Sequence, residues 1–279
     1  MNNITLRLRS RWSLRSGHIL GILLALSMLL SLPFPSHALT LSTESEIQSG
    51  DLIRGETYSS VYYYGADGLR YVFPNDKTYF TWYENFDEVK WISDASLANI
   101  QIGGNVTYKP GVKMVKINSD PTVYAVSSGG TLHPIESESV AAQLYGSSWN
   151  KQVDDVMDGL FGNYTLGAEI ELDSQYDPEI EQIEAFSINE DKDLQTSTSV
   201  EITESGYQSS TITIPAGTAV EWLNTTNENR SATEWDRVWG SGTLYPGDHY
   251  TRYFNEKGTW HYYSTYGDRN VFEGAIIVE

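Results

Sequence analysis

The 279-residue chain contains 37 acidic and 18 basic residues, for a formal net charge of −19 at neutral pH, and it contains no cysteine. So large an excess of negative charge repels nucleic acids and anionic lipid headgroups, which excludes both as partners. Because no disulfide can form, the fold must be stabilised by burial of its core, and no thiolate is available to a metal.

The first 38 residues have the order of a secretory signal peptide. Four arginines precede an apolar run from Ile19 to Leu32, and the small-residue stretch Ser36-His37-Ala38 follows. The run is shorter than the roughly 20 residues that a spanning helix needs. We expect export with cleavage after Ala38, and the alternative is an uncleaved membrane anchor. Cleavage leaves a formal charge of 14 − 37 = −23.

An internal repeat is visible between Gly50 and Ile170. Matching pairs occur first at a spacing of 62 and then, after short insertions, at 63 and 64: Val61-Tyr62 with Val123-Tyr124, Gly68 with Gly130, Phe73 with Ile135, Tyr83 with Tyr145, Leu97 with Leu160, Gly103 with Gly167 and Val106 with Ile170. We predict a duplicated α+β module over residues 39–172, with units at about 49–108 and 109–172 that pack together to bury their apolar faces.

Each unit starts with a pattern typical of strands. The stretch SSVYYYGADGLRYVF predicts a hairpin that turns at Asp67-Gly68, because Asp and Gly tolerate positive φ angles. The stretch NDKTYFTWYENF has helical spacing of its aromatic residues, with Asn75 or Asp76 as the N-cap, and ESESVAAQLYG matches it in the second unit. A short turn at residues 93–99 and a return strand complete the predicted unit.

The same region resembles a tandem aromatic repeat of exported proteins from poorly cultivated bacteria. The resemblance rests on Gly50-Asp51-Leu52, YVFPN, TWY and GGNVTYKPG, and it implies no activity. The aromatic side chains of Trp82, Tyr83 and Trp91 suggest a carbohydrate-binding surface. The alternative is that these rings fill the cores of the two units, because they occupy periodic positions.

Residues 173–198 are predicted to form an acidic linker. Ten carboxylates and one basic residue lie between Glu169 and Asp193, without a sustained apolar period, and Pro178 interrupts the stretch. This composition favours an extended segment between two domains.

Residues 199–279 are predicted to form an all-β sandwich. Apolar residues alternate with a period of two in the runs VEIT, STITI, AVEWLN, HYTRYF, TWHYYS and GAIIVE, and Pro-Gly or Gly turns separate them. Short alternating strands at such intervals indicate an antiparallel sandwich without a long helix.

Several linked motifs of this region are similar to the cupredoxin family: GYQSSTITIPAGTAVEWLN, SGTLYPGDHYTRYF, GTWHYY and FEGAIIVE. The resemblance implies a Greek-key sandwich and, in many members, a copper ion bound by two His, one Cys and a weak Met. Aligned on these motifs, the four ligand positions fall at Arg230, Ser264, Gly267 and Phe272. None of the four supplies the expected ligand, and no alignment register can supply a thiolate.

Two histidines of the sandwich give the alternative metal site. His261 alternates with Trp260 and Tyr262, so it points to solvent if the rings point inward. His249 follows a Pro-Gly-Asp turn. A weak two-histidine copper or zinc site is the alternative to two ordinary surface imidazoles.

The loops at the same end of the sandwich contain the candidate ligand-binding residues. These are the cations and rings near the former ligand positions: Arg230, Trp235, Trp239, Tyr266 and Arg269. Arg and Trp together at loop tips suit recognition of a protein or a glycan. The alternative is that Trp235 or Trp239 caps the sandwich.

The sequence therefore indicates a non-enzymatic binding or structural protein, secreted or in the cell envelope, with a metal-free cupredoxin-like domain and no cofactor. It contains no phosphate-binding loop, no metalloprotease helix and no nucleophile elbow. The expected partner is an extracellular or envelope protein or a glycan. The alternatives are a copper-binding or electron-transfer cupredoxin and a carbohydrate-binding module.

Overall fold

The computed structural model describes residues 41–43 and 46–279, and the predicted signal peptide lies outside these residues. Residues Leu41–Glu279 form one compact unit. Within the described residues the strands form two five-stranded and two four-stranded sheets. No helix in this part of the chain combines the length and apolar character that crossing a membrane requires.

The first five-stranded sheet has the order β4-β1-β2-β3-β5. Strands β1 to β3 form an antiparallel meander, and β4 and β5 add in parallel to β1 and β3. Its elements are β1 (Leu52–Arg54), β2 (Tyr62–Tyr64), β3 (Arg70–Val72), α1 (Asp76–Trp82), β4 (Lys90–Trp91), α2 (Asp94–Asn99) and β5 (Ile102–Asn105).

The second five-stranded sheet has the order β9-β6-β7-β8-β10, with the same directions at each corresponding pair. Short 3₁₀ turns lie at Ser128–Gly130 and Trp149–Gln152. Its other elements are β6 (Met114–Ile117), β7 (Asp120–Ser127), β8 (Thr131–Pro134), α3 (Glu138–Tyr145), β9 (Val153–Val156), α4 (Asp158–Phe161) and β10 (Thr165–Leu166).

The hairpins of the two sheets close in the same way. The Phe73 N–H donates to the Val61 carbonyl at 3.1 Å, and in the second sheet the Ile135 N–H donates to the Val123 carbonyl at 2.9 Å. The return strands also match, because the N–H groups of Val106 and Ile170 donate to the carbonyls of Val72 and Pro134. The two sheets thus share a backbone plan as well as a strand order.

The local predictions for this region are confirmed at the first hairpin and the first helix. The turn at Asp67-Gly68 joins β2 to β3, and Gly68 has a φ of 77°. The side chain of Asn75 caps α1 by accepting from the Thr78 N–H. The predicted turn at residues 93–99 is wrong, since helix α2 forms there with Ser93 as its N-cap.

The acidic segment is folded, so the expectation of an extended chain is wrong for these residues. A 3₁₀ turn at Asp173–Gln175 precedes α5 (Pro178–Glu184) and α6 (Ile188–Asp191). The Asp177 carboxylate caps α5, and Pro178 occupies its first turn, where a missing N–H costs nothing. Ile188 is buried in the core of the first sheet. The domain boundaries at 172 and 198 stay a prediction.

The C-terminal residues form a sandwich of two four-stranded sheets, ordered β12-β11-β14-β16 and β13-β18-β17-β15. Its core contains the fully buried Trp222 and Tyr262. Its strands are β11 (Thr198–Thr203), β12 (Gly206–Tyr207), β13 (Thr211–Ile214), β14 (Thr218–Asn224), β15 (Thr233–Glu234), β16 (His249–Phe254), β17 (Gly258–Tyr263) and β18 (Glu273–Val278).

All six predicted strand-like runs of the sandwich are strands, but the sheets are mixed. Strand β11 pairs in parallel with β14, and β13 pairs in parallel with β18. Between β11 and β14 the chain crosses to the other sheet, where it forms β13, and then crosses back. The neighbouring strands β11 and β14 therefore run in the same direction. The prediction of a purely antiparallel sandwich is therefore wrong.

A buried carboxylate joins the first sheet to the sandwich. Asp67 Oδ2 accepts from the hydroxyl of Tyr71 at 2.5 Å and from that of Tyr253, on β16, at 2.6 Å. Burial raises the pKa of both tyrosines. Nearby, the side-chain amide of Gln101 donates to the Thr251 carbonyl and accepts from the Thr251 N–H. The two parts of the molecule thus share a hydrogen-bonded contact around the buried Asp67.

Candidate functional site

The four positions that the sequence motifs align with copper ligands lie together at one end of the sandwich. The guanidinium carbon of Arg230 lies 4.4 Å from the ring centroid of Phe272. The Ser264 N–H donates to the Phe272 carbonyl at 3.0 Å. A Cβ on Gly267, whose φ is 81°, would lie 3.0 Å from the Phe272 ring. The motif alignment therefore identifies one real cluster, which we call the Arg230 cluster.

Arg230 occupies the interior of this cluster. Its residue surface is only 3% exposed. One guanidinium nitrogen, Nη1, donates to Glu228 Oε2 at 2.9 Å and to the Asn229 carbonyl at 3.0 Å, and Nη2 lies 3.6 Å from Glu204 Oε2. A fixed positive charge, stacked on a ring, fills the space beneath the loops.

Ser264 is also buried and is held by backbone donors. Its Oγ accepts from the N–H groups of Ser231 and Tyr266, both at 3.1 Å. Burial raises the pKa of Tyr207, and it raises the pKa of Tyr262 to about 12. The end of the sandwich is thus closed around the buried Ser264 hydroxyl.

The residues of the Arg230 cluster do not fit a copper ion. Copper of this type requires imidazole and thiolate donors, whereas the cluster offers a guanidinium, a hydroxyl, a glycine and a phenyl ring. Elsewhere in residues 41–43 and 46–279, no three His, Cys, Asp or Glu side chains are grouped so that they could bind a metal.

The two histidines of the sandwich lie on different sheets. His249 begins β16, and its Nδ1 lies 2.7 Å from Glu221 Oε1. His261 lies on β17 and is exposed, as the alternation predicted, with its ring stacked on Trp235 at 4.8 Å. Their separate neighbours do not favour a shared metal ion.

An exposed stack of rings and a cation lies on the outside of the β15-β17 pair. The guanidinium carbon of Arg269 is 5.0 Å from the ring of Trp235 and 4.2 Å from that of Tyr263. Trp235 is 47% exposed. We call the four residues Trp235, His261, Tyr263 and Arg269 the Trp235 surface.

Strand pairing fixes the position of Trp235. Glu234 pairs with Tyr262, and the Trp235 N–H donates to the His261 carbonyl at 3.0 Å. The Glu234 carboxylate then accepts from the N–H groups of Asp236 and Val238, which stabilises the turn that follows. The indole is thus held at a defined place although it lies at the start of a loop.

A groove of about 290 Å³ adjoins the Trp235 surface. Its floor includes Gly274, where a Cβ would lie 2.5 Å from the Ser210 carbonyl oxygen, so a side chain is excluded there. Residues Ser210, Thr211, Trp235, His261, Glu273, Gly274 and Ala275 line it. The groove combines hydroxyls, a carboxylate and two rings beside the exposed cation.

The structure places some of the predicted ligand-binding residues at the surface and others in the interior. Trp235 and Arg269 contact each other at the surface. Trp239 is 6% exposed and packs on Trp222 in the core, with 5.5 Å between ring centroids. Buried side chains are inaccessible to a partner, so the expectation that Arg230 and Trp239 line the binding surface is corrected. Tyr266 is half-buried, with its hydroxyl 2.6 Å from Thr243 Oγ1.

Two members of the Trp235 surface were missing from the sequence-based set. His261 and Tyr263 are two residues apart on β17, so they lie on the same face of the strand. The alternation that placed His261 outside also places Tyr263 there. The alternation along β17 therefore sufficed to place both side chains on the exposed face. It could not show that they contact Trp235 and Arg269 of the loops.

The three rings proposed for carbohydrate binding are all half-buried. Trp82 donates from Nε1 to the Thr107 carbonyl at 2.9 Å, and Tyr83 packs on the core of the first sheet. The guanidinium carbon of Arg54 lies 3.8 Å from the ring centroid of Trp91. Trp91 and Phe86 line a groove of about 250 Å³. Of the three rings, Trp91 is thus the one that borders a groove together with the exposed ring of Phe86 and the cation of Arg54.

Comparisons with known proteins give matches among solved structures alone. No family model and no curated protein matches the chain. The purple cupredoxin from Nitrosopumilus maritimus is 23% identical, with a TM-score of 0.27, and the match covers 30% of this chain and 100% of that chain. An oxidised variant of amicyanin is 19% identical, with a TM-score of 0.28 and coverage of 30% and 82%. A copper-containing nitrite reductase from Thermus scotoductus SA-01 is 20% identical, with a TM-score of 0.27 and coverage of 30% and 22%.

Proposed function

We propose that this chain is a non-enzymatic binding protein of the cell envelope or the extracellular space, whose cupredoxin-like sandwich contacts a partner instead of holding copper. The observation that carries the proposal is the buried Arg230 guanidinium over the Phe272 ring, 4.4 Å away, at the aligned ligand positions. The guanidinium is always charged and offers no lone pair to a copper ion, and it occupies the position of an imidazole donor.

The Trp235 surface is the contact site in this proposal, and the partner is a protein. Trp, Tyr and Arg supply most of the binding energy at protein interfaces when they lie beside a pocket. Here Arg269 already stacks on Trp235 and Tyr263, which lowers the entropy lost on binding.

A copper titration tests the metal-free part of the proposal. We expect the chain 39–279 to retain less than stoichiometric copper after desalting and to show no visible charge-transfer band. The matched control is the variant R230H/S264C/G267H/F272M, which restores the implied donors at the same four positions. Stoichiometric, coloured copper in the unaltered chain would contradict the proposal.

Affinity capture from the envelope fraction of the native organism tests the contact site. Replacement Trp235→Ala should remove the partner that the unaltered chain enriches, whereas Val238→Ala, at an exposed neighbour, should keep it. Enrichment that is equal for the two variants would exclude the Trp235 surface as the contact.

Carbohydrate binding by residues 39–172 is a second candidate function. The observation that favours it is the groove where Arg54 stacks on Trp91, since a ring beside a polar donor suits a sugar. A glycan array with the chain 39–279 and its Trp91→Ala variant tests it, and signals that survive the substitution would contradict this site.

We also propose that the two five-stranded units are copies of one sequence repeat. Their common strand order and the equal sequence offset between their hairpin hydrogen bonds support this origin. Positive φ angles at both Gly68 and Gly130, another predicted pair, support it further.

A further inference from the structure

The two five-stranded units carry a groove at the same place. The first has a volume of about 360 Å³ and is lined by residues 59–61, 73–76 and 79, with Phe86 at its rim. The second, of about 400 Å³, is lined by residues 121–123, 135–138 and 141, with Trp149 and Glu169. Eight lining positions of the first groove match eight of the second at a spacing of 62, whereas Phe86 and Trp149 are 63 apart and Glu169 has no counterpart in the first groove. Each groove lies where the entry to a hairpin meets the start of a helix.

The two grooves share an apolar floor and an aromatic ring. Val61 and Phe73 form the floor of the first, and Val123 and Ile135 form that of the second. Phe86, 49% exposed, is the accessible ring of the first groove. The half-buried Trp149 takes this place in the second groove.

Both grooves carry carboxylates without a basic counterpart in their linings. Asp76 lies in the first, and Glu136, Glu138 and Glu169 lie in the second. No lysine or arginine lines either groove. Among the ion pairs of the described residues, none involves these four carboxylates. Their negative charge is therefore available to a ligand.

We propose that each groove binds one lysine or arginine side chain from an extended basic segment of a partner protein. The apolar floor matches the aliphatic stem of such a side chain, the ring matches its cation, and the carboxylates pair with its charge. A neutral ligand would use the floor but leave the carboxylates uncompensated. The inference does not depend on the proposed role of the sandwich.

The second groove should bind the cation more tightly than the first. It contains three carboxylates where the first contains one, and Ala141 in place of Tyr79 leaves it more space. Asp76 adds a single exposed charge. Two classes of site with unequal affinity are therefore expected.

Calorimetric titration of the chain 39–279 with acetylated tetralysine amide tests the proposal. The variant E136Q/E138Q/E169Q keeps the shape of the second groove and removes its charge. Affinity should fall about tenfold, since three ion pairs of modest strength are lost. Addition of Asp76→Asn should remove most of the remaining heat.

The matched control is D173N/E179Q/E184Q, which makes the same charge change at exposed positions of the acidic segment. This variant should bind tetralysine within about twofold of the unaltered chain, as expected when the changed charges lie outside the site. Circular dichroism of both variants verifies that the fold is intact.

Three outcomes would overturn the inference. Equal losses in the two triple variants would mean diffuse attraction to an acidic surface. No saturable binding of tetralysine at low salt would mean that the grooves are not cation sites. Binding of cellohexaose in place of tetralysine, with sensitivity to the groove variant, would assign the grooves to a neutral glycan.

Discussion

Arg230 is the residue that best explains how the end of the sandwich is stabilised. Its two carboxylate partners, Glu204 and Glu228, are largely exposed, so water screens both ion pairs. The Phe272 ring and the Asn229 carbonyl are its other neighbours. We infer that Arg230 contributes to stability mainly through the space that it fills.

Two substitutions of Arg230 separate its volume from its charge. Replacement Arg230→Ala should lower the free energy of unfolding by about 2–4 kcal/mol, because it leaves a cavity beside Phe272. Replacement Arg230→Met keeps most of the side-chain volume and should change the free energy of unfolding by less than about 1 kcal/mol. Urea unfolding of the chain 39–279 measures both. An equal loss in the two variants would show that the charge itself is required.

Asp191 is a second buried charged residue, and its environment favours the neutral form. Its Oδ1 accepts from the Gly129 N–H at 3.1 Å, and the Thr107 hydroxyl lies 3.5 Å from Oδ2. Burial raises the pKa of Asp191 to about 6, although the charge of Lys192 and the two hydrogen bonds oppose this shift. Nearby Glu181 also has a pKa raised by burial.

The raised pKa of Asp191 gives the stability of the protein a definite pH dependence. The folded state holds this proton up to about pH 6, whereas the unfolded chain releases it near its ordinary value of 3.8. The contribution of Asp191 to stability therefore falls as the pH rises from about 4 to 6, by about 3 kcal/mol, and is constant above.

Chemical unfolding at several pH values between 4 and 7 measures this slope. Replacement Asp191→Asn should remove it, so the variant should gain stability relative to the unaltered chain as the pH rises. Asp193→Asn, at an exposed carboxylate two residues away, should leave the slope unchanged. Parallel curves for the unaltered chain and Asp191→Asn would contradict the assignment.

Among the elements, strands with several alternating residues could be predicted and two-residue strands could not. The sequence run HYTRYF is strand β16 without change of boundary, because six residues suffice to show a period of two. Strands β12 and β15 contain two residues each, too few for a period. Their pairing depends on neighbours that are distant in the sequence.

The acidic segment shows how tertiary contacts override composition. Asp177-Pro178 is a typical helix start, but the surrounding carboxylates favour an extended chain. The segment folds because Ile188 is buried in the core of the first sheet and Gln182 donates to the Gly111 carbonyl. Neither contact can be read from the segment alone.

The candidate site was predictable only in part for the same reason. The cation and ring composition of the loops identified Trp235 and Arg269, which contact each other. A loop has no period, so the sequence could not show that Trp239 points into the core. The paired grooves require the folded arrangement of hairpin and helix, although matching residues 62 positions apart were visible in the sequence.

Gly111 is the glycine on which the position of helix α5 depends. Its φ is 71°, and a Cβ there would lie 2.0 Å from the Pro178 carbonyl oxygen. Gly146 has a φ of 81°, and no atom of the described chain beyond its immediate neighbours in sequence would lie within 4 Å of its Cβ. The two positions therefore share a positive φ, which a residue with a Cβ rarely adopts, but they differ in the clash.

Replacement Gly146→Ala should cost about 1–3 kcal/mol of unfolding free energy, the penalty of a positive φ at a residue with a Cβ. Gly111→Ala should cost about 2 kcal/mol more, because the Pro178 backbone must move. Limited proteolysis should then cut the segment 173–191 faster in Gly111→Ala alone. Equal unfolding free energies and equal cleavage rates for the two variants would mean that α5 can move to accommodate the Cβ without loss of stability.

At the scale of the whole molecule, polar contacts join its parts. Asp67 binds the sandwich through Tyr253, and the side chain of Asn189 accepts from the Ala66 N–H and donates to Ser49. Groups of this kind are costly to leave unpaired when they are buried. We therefore expect the sandwich and the first sheet to unfold together.

Replacement Tyr253→Phe tests this coupling. It leaves Asp67 with one donor fewer and should lower the free energy of unfolding by about 1–3 kcal/mol. Differential scanning calorimetry should show a lower melting temperature and a broader or divided transition. Tyr245→Phe, at an exposed tyrosine of the sandwich, is the control. An unchanged thermogram for Tyr253→Phe would show that this hydrogen bond does not couple the parts.

We expect that one segment can be exchanged between the two five-stranded units, because their hairpins close through equivalent hydrogen bonds. A block from residue 61 to residue 79 has the same length as the block from 123 to 141, and both start from equivalent hydrogen bonds. Splicing one block into the place of the other would retain the chain length, and the principal misfits would be Tyr63 and Tyr79 where Ala125 and Ala141 now pack. A chimaera of this kind would present two grooves of nearly one lining, so the contribution of each differing side chain to binding could be measured in turn.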